Sequence, residues 1–307
     1  MNRNKPELPF HMEMIFTYGV AREIWPGVRR VVAPNKGPLT QNGTNSYIIG
    51  QGEVAVIDPG PADPSHLAAI LEATRGETIT HILLTHTHKD HSSLFTELAE
   101  ATGAETCAHL PIHENRGARH QSGAALKADF VDFSIAPARP IKEGDVIEGN
   151  GWALSAIHTP GHAPDHICYR LEGQPVLFSG DHVMAWNTSV IIPPEGNMAA
   201  YLRSLKKLTG GGYERFMPGH GGQVRAPERL VKAYLMHRKW RESSLLDHVR
   251  SGIGTIPELL PLMYPNVQPE VMPAASLSIL AHLEHLCEQG LIDCKELPAL
   301  NSNFKSN

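Results

Sequence analysis

Residues 85–91 read THTHKDH and place His86, His88, Asp90 and His91 within six positions, directly after the apolar run ITHILL. Imidazole and carboxylate lone pairs together suit Zn2+, with Fe or Mn also compatible. A loop can turn such closely spaced donors onto one ion, whereas a regular helix or strand would spread them over several faces. Three later positions share one setting, an apolar strand, a tight turn and a donor: His162 in HTPGH, Asp181 in LFSGD and His220 in MPGHGG. The glycines around His220 let backbone approach a site closely. Asp58 in IDPG offers a further carboxylate at a strand end.

The elements that must position these donors are legible in outline. Two apolar runs around Gly50-Gln51-Gly52 read as a hairpin over 45–58. Asp63 and Pro64 start a helix over 63–75, a buried strand follows at 79–85, and a helix over 92–103 ends near Gly103. The second half repeats this grammar, with strands at 152–159 and 166–181, a helix at 198–208 and a strand at 213–220. Alternation of this kind predicts a layered domain whose strand-end loops gather the donors. From about residue 225 the pattern turns helical (226–251, 255–264, 271–290), with prolines at the boundaries and a short strand at 291–297. The expected division is therefore a domain at 1–225 and a winged-helix-sized module at 226–307.

THTHKDH followed by His162, Asp181 and His220 resembles the metallo-β-lactamase-fold superfamily, with its HxHxDH…H…D…H pattern, over roughly residues 20–225. The resemblance implies an α+β protein, an αββα sandwich with a dinuclear metal site at one edge. It implies His86, His88 and His162 on one metal, Asp90, His91 and His220 on the second, Asp181 bridging, and Asp58 beside the site supporting the ligands. The segments GPLTQNGTNSYIIG, HRKWRESSLL and 277–291 look like the lactamase-beta-like subgroup, which carries a C-terminal winged helix and whose mitochondrial member is an endoribonuclease.

The implied chemistry is hydrolysis with two zinc ions, a hydroxide shared between them attacking an ester-type or phosphodiester bond, and Asp90 orienting it as the catalytic carboxylate. A single Zn2+ lowers the pKa of bound water from 15.7 to about 7, more than the ~10²–10⁴-fold a lone general base supplies. Thioester or ester hydrolysis of the glyoxalase II type is the alternative, and a di-iron redox protein is the alternative of a different class. A true β-lactamase is not expected, because MNRNKPELPFHMEM shows no apolar export segment and a cytoplasmic location is read instead.

The net charge of −5 supplies no basic field for nucleic acid or an anionic membrane, and no apolar run is long enough to span a bilayer. The candidate partners are thus a small ester or thioester, or single-stranded RNA. Sequence-specific DNA binding is not expected, since the reading helix near 275–290 has no Lys or Arg. The cluster Arg238, Lys239 and Arg241 is expected to be a solvated helix face with Trp240 packed in the core, the alternative being that it touches a phosphate or stacks on a base. The module is expected to wall the active-site cleft or form a homodimer contact. Asn45, Thr188 and Ser189 are candidate substrate contacts, and His158 and His166 are expected to be strand residues with hydrogen-bonded rings. The four cysteines, Cys107, Cys168, Cys287 and Cys294, lack CxxC spacing and are expected to be reduced.

Overall fold

The computed structural model describes residues 6–110, 130–266, 268–293 and 298–306. The first sheet has seven strands in sequence order: β1 (Arg22–Trp25), β2 (Val28–Val32), β3 (Asn45–Gln51), β4 (Glu53–Ile57), β5 (Thr78–Leu83), β6 (Glu105–Ala108) and β7 (Arg139–Pro140). The second has five: β8 (Val146–Gly149), β9 (Trp152–His158), β10 (Ile167–Leu171), β11 (Val176–Gly180) and β12 (Arg215–Pro218). Pairing is antiparallel where turns are short, as at the β3–β4 hairpin around Gly52. It becomes parallel at β4–β5, β5–β6 and β11–β12. Each of those crossovers carries helix: α1 (Pro64–Ala73), then α2 (Lys89–Ser92) with α3 (Phe95–Thr102), and α4 (Met198–Lys207). A parallel connection needs such a crossover.

Period-two alternation assigns the layers. Tyr47, Ile49, Ala55 and Ile57 point between the sheets and meet Leu154, Tyr169, Phe178 and Met217. Their neighbours Ile48, Val54 and Val56 point outward under Ile70 of α1 and Phe95 and Leu98 of α3. On the far side, Cys168, Leu177 and Phe216 pack under Tyr201 and Leu205 of α4. Because both faces of these strands are covered, they read as continuous apolar runs. The result is the αββα arrangement that the resemblance implies. Local signals behave as expected too: Asp63 Oδ1 accepts from the Ser65 and His66 amides at 2.8 and 3.1 Å, and α3 stops at left-handed Gly103.

The C-terminal part contains α5 (Pro227–Arg250), α6 (Ile256–Met263), α7 (Met272–Glu288) and a small wing of β13 (Ile292–Asp293) with β14 (Lys305–Ser306). Helix α5 serves two cores. Leu230, Val231 and Tyr234 join the second sheet's outer layer, whereas Leu245 and Val249 pack with Leu259, Leu280, Ile292 and Phe304.

Two expectations need correction here. Arg238 and Arg241 are buried, neither on a solvated helix face nor presented to a phosphate. Arg238 donates to the Ser189 carbonyl and lies 5.3 Å from the Tyr201 ring centroid. Arg241 donates to Met263 O at 3.1 Å and stacks 3.9 Å from the Tyr264 ring. Long aliphatic stems and delocalised cations let arginine tie buried carbonyls and rings together, so these residues staple the module and only Lys239 is exposed. Cys107 and Cys168 are free and buried, but Cys287 is disulfide-bonded, against the reading of four reduced thiols. Sequence spacing does not report which cysteines meet in space. Cys294 lies outside the described residues. Among those described, no helix is long and apolar enough to cross a membrane.

Candidate metal centre

The donors of THTHKDH emerge from the end of β5 in two steps. His86 and His88 sit on the extended loop, and Asp90 and His91 lie on the one-turn helix α2 that His88 precedes. His162 follows β9, Asp181 directly follows β11, and His220 follows β12. The structure brings all seven together. Three sets of potential ligand atoms lie within 4.8 Å of one another: His86, His88 and His162; Asp90, His91 and His220; and His86, His91 and Asp181.

Within the first set, His88 Nδ1 lies 2.9 Å from His86 Nε2 and 3.0 Å from His162 Nε2. Within the second, His220 Nε2 lies 3.1 Å from Asp90 Oδ2 and 3.3 Å from His91 Nε2. Asp181 reaches both sets. Its Oδ2 is 3.7 Å from His162 Nε2 and 3.4 Å from His220 Nε2, and its Oδ1 is 3.7 Å from His91 Nε2.

The fold fixes which ring nitrogens face inward. His162 Nδ1 donates to Val190 O at 2.7 Å, and His220 Nδ1 to Gly43 O at 3.3 Å. His91 Nδ1 lies 2.9 Å from Asp58 Oδ2. Thr85 has one hydroxyl hydrogen and gives it to Asp58 Oδ2 at 2.7 Å. Its oxygen must therefore accept from His86 Nδ1, 3.0 Å away. Four Nδ1–H groups are thus committed outward, which leaves four Nε2 atoms inward. Such outer hydrogen bonds are what set tautomer and ring orientation in metal-binding histidines.

Asp58 is the hub of this outer layer. It is buried with φ of 53°, a sparsely populated conformation that Asp tolerates better than most residues. Its amide donates to Leu83 O at 2.9 Å, and its Oδ1 accepts from the Thr85 amide at 2.7 Å. Space at the centre is made by two glycines. A Cβ on Gly219 would lie 2.5 Å from both Asp181 Oδ1 and His91 Cε1, and one on Gly180, itself at φ +47°, would lie 2.6 Å from His166 Nε2.

Electrostatics divide the histidines. Burial, reinforced by neighbouring imidazoles, pulls His86 well below its usual range and His88 to about 3. Burial opposes protonation of His91 and His220 too, but carboxylates outweigh it. Asp90, Asp58 and Asp181 hold His91 well above its usual value, and Asp181 with Asp90 raises His220 to about 9. Asp90 and Asp181 are lowered in turn, burial being outweighed by His91 and His220. Asp181 Oδ1 is buried without a hydrogen-bond donor. A desolvated carboxylate oxygen lacking a donor, among inward imidazole nitrogens, is a donor set that a divalent cation satisfies.

A cavity of about 290 Å³ opens onto this cluster, and His88, Asp90, His162, Asp181 and His220 form its floor. The walls are largely apolar and include Leu39, Phe130, Val131, Met184, Val190, Ile192 and Leu277 of α7. A winged-helix residue therefore does wall the cleft. Asn45, Thr188 and Ser189 are not among the lining residues. The Asn45 amide is consumed by Pro218 O and Gly221 O at 2.8 and 2.9 Å, tying down the His220 loop, and Ser189 is buried beneath Arg238. From the loop that follows Thr188 and Ser189, it is Val190 and Ile192 that line the cavity. His158 and His166 have bonded rings, to Pro164 O at 3.0 Å and Thr159 Oγ1 at 2.8 Å.

Residues 39–220 match the family described as the Metallo-beta-lactamase superfamily. The chain belongs to that superfamily. Metal-dependent hydrolysis is its chemistry. Residues 255–296 match the Beta-lactamase associated winged helix domain, so this superfamily member carries the module its C-terminal helices suggest. Lactamase-like protein aptB of Emericella nidulans is 30% identical over 272 residues, covering 84% of this chain and 80% of that protein. A protein named Atrochrysone carboxyl ACP thioesterase AacuM, of Aspergillus aculeatus, is 28% identical over 229 residues, covering 73% and 65%. The metallo-beta-lactamase family protein TTHA1429 of Thermus thermophilus superimposes with a TM-score of 0.74 at 25% identity, covering 93% of this chain and all of that one. TTHA1623, solved in a di-iron-bound form, gives a TM-score of 0.50 at 30% identity, covering 65% and 96%.

Proposed function

We propose that the protein is a dinuclear-metal hydrolase of small esters or thioesters with an apolar acyl part. In this reading His86, His88 and His162 hold one metal ion, Asp90, His91 and His220 the other, and Asp181 both, with zinc the expected metal. When bound, the pair supplies an acidified water and a Lewis-acid contact for the oxygen under attack. The chain's own groups do the rest. Asp90, partly exposed at the cavity floor, is the carboxylate placed to hold and pass a proton. Asp58 and Thr85 keep His86 and His91 in the tautomer that presents Nε2. The apolar walls exclude water and seat the acyl group.

The observation that carries the choice of bond is the cavity lining. A dry cavity of about 150 Å³ accommodates benzene, so one of about 290 Å³ suits a compact acyl group of roughly two rings. Lys89 is the sole Lys or Arg among its lining residues, which also include the carboxylates Asp90, Asp181 and Glu195. RNA binding relies on Lys and Arg contacts to phosphate, and Arg238 and Arg241 are committed elsewhere. The thioesterase name of AacuM points the same way.

The test is thiol release from aryl and short-chain acyl thioesters by zinc-loaded protein, beside an end-labelled single-stranded RNA, with His88→Ala as the contamination control. Thioester turnover lost in the variant supports the proposal. RNA cleavage with no turnover of any ester or thioester refutes it. Iron is the alternative loading, favoured by the di-iron form of TTHA1623. Metal analysis of the purified protein decides between the two.

A further inference from the structure

Both threonines of THTHKDH are held by a buried carboxylate, and only one of those carboxylates lies in a motif that announces a site. Thr85 is clamped by Asp58 through its amide and hydroxyl. Thr87, the residue between His86 and His88, is clamped in the same way by Asp165: its amide donates at 2.9 Å and its hydroxyl at 2.6 Å. Asp165 is 2% exposed and forms no ion pair with Lys or Arg among the described residues. Burying a carboxylate that lacks a cation is unfavourable unless its hydrogen bonds are good, so its presence under this loop calls for a use.

The surroundings suggest one. Asp165 belongs to the same short segment as His162, three residues on, and precedes His166, whose Nε2 accepts from the Asp181 amide at 3.2 Å. The clamp therefore joins the loop bearing His86 and His88 to the loop bearing His162. Those three residues form one of the two ligand sets, and no other described carboxylate hydrogen-bonds Thr87. The opposite side of the strand-like loop is fixed too, by Asp132 N donating to Thr87 O at 2.8 Å.

We propose that Asp165, acting through Thr87, is a positioning residue that sets the spacing of His86, His88 and His162, and so tunes metal affinity at that set selectively. This rests on the metal-centre reading above. A distinctive detail makes it testable: both Thr87 bonds end on the same oxygen, Asp165 Oδ2. Asn keeps one carbonyl oxygen and can accept both, so Asp165→Asn should preserve the clamp while removing the charge. Asp165→Ala should destroy it.

The experiment is chelator-competition titration of Zn2+ into metal-free protein, with His88→Ala and His220→Ala identifying which affinity belongs to which set. Loss of an outer partner of this kind typically weakens metal affinity about 10–100-fold. The expected result is a loss in that range at the His86/His88/His162 set for Asp165→Ala, near-native affinity for Asp165→Asn, and an intermediate loss for Thr87→Val, which keeps the amide bond. The Asp165→Ala/Thr87→Val double variant should be no weaker than Asp165→Ala alone. Equal weakening at both sets, or a native affinity in Thr87→Val, overturns the proposal, and the latter stays readable even if Asp165→Ala fails to fold. If the wild-type protein takes up metal and only these variants fail to respond, the positioning role is wrong and the metal centre stands. If the wild type takes up no metal, both are wrong.

Discussion

Asp58→Asn is a near-isosteric change with a sharply defined consequence, because the bonds of Asp58 are divided between its two oxygens. Oδ1 accepts from the Thr85 amide, and Oδ2 accepts from the Thr85 hydroxyl and lies against His91 Nδ1. Asn has one acceptor and one NH2. If its oxygen takes the Thr85 amide, the NH2 points at Thr85 Oγ1 and at His91 Nδ1. Both must then accept, which moves the His91 proton to Nε2 and frees the Thr85 hydrogen to push the His86 proton to Nε2 as well. Two inward donors would become N–H groups facing the centre. If Asn turns the other way, its NH2 opposes the Thr85 amide at 2.7 Å and leaves a buried donor unpaired, at about 1–3 kcal/mol. Either route is costly in a different observable. The favoured flip spares the metal-free fold and weakens Zn2+ binding by about 10–100-fold, ~1.4–2.7 kcal/mol, at both ions of the proposed pair, since His86 and His91 are assigned there to different ones. Competition titration together with urea denaturation of the metal-free protein reads the two separately. Native zinc affinity in Asp58→Asn with an unchanged denaturation midpoint would refute the tautomer argument outright.

The metal-free protein should lose stability in mild acid. His66 and His282 are held at about 4 by burial, which outweighs Asp63 in one case and Glu242 in the other. Below an unfolded value of about 6.5 the unfolded chain binds these protons and the folded one does not. Stability then falls with pH by up to ~1.4 kcal/mol per unit per histidine until about pH 4. Glu242, where His282 and His285 outweigh burial and hold it at about 2, extends the decline: its contribution is full above about 4.5 and lost as pH drops toward 2. Urea midpoints at pH 7, 5.5 and 4.5 check this, and a flat series contradicts it. Leu277→Ala should raise KM for an apolar thioester roughly tenfold with kcat little changed, because it removes apolar wall area worth ~1–2 kcal/mol. A loss confined to kcat would remove α7 from substrate binding.

The sequence was most informative where a physical constraint is local. Asp63 with Pro64 starts α1, Gly103 ends α3, and unbroken apolar runs mark strands covered on both faces. That the seven candidate donors would cluster was legible because they follow apolar strands, and strand ends on one edge of a sandwich converge. What could not be read depends on long-range packing. Arg238, Lys239 and Arg241 look alike on paper, yet only the structure shows two of them facing Ser189 O and Met263 O and one facing solvent. Asn45 looked like a substrate contact because it lies in a loop near the donors, but a buried amide must satisfy its hydrogen bonds, and Pro218 O and Gly221 O take them. Asp165 carried a readable signal in being a carboxylate three residues after His162, but its partner Thr87 is 78 positions away.

The same outer bonds explain why this cluster, crowded with like groups, is organised before any ligand arrives. Five inward imidazole nitrogens within a few ångströms would repel if left as bare lone pairs, and two buried carboxylates, Asp58 and Asp181, beside the half-buried Asp90, would be costly alone. Placed together they compensate by dividing into two sets. His86 and His88 stay neutral under burial, whereas His91 and His220 take protons against the carboxylates. A metal ion and those protons compete for the same Nε2 lone pairs, because Nδ1 of both rings is already bound to Asp58 and to Gly43 O. On the proposed assignment, filling the Asp90/His91/His220 set should therefore release protons, while filling the His86/His88/His162 set should displace few. The two sets, although joined through Asp181, are distinguished by the fold before they are distinguished by chemistry.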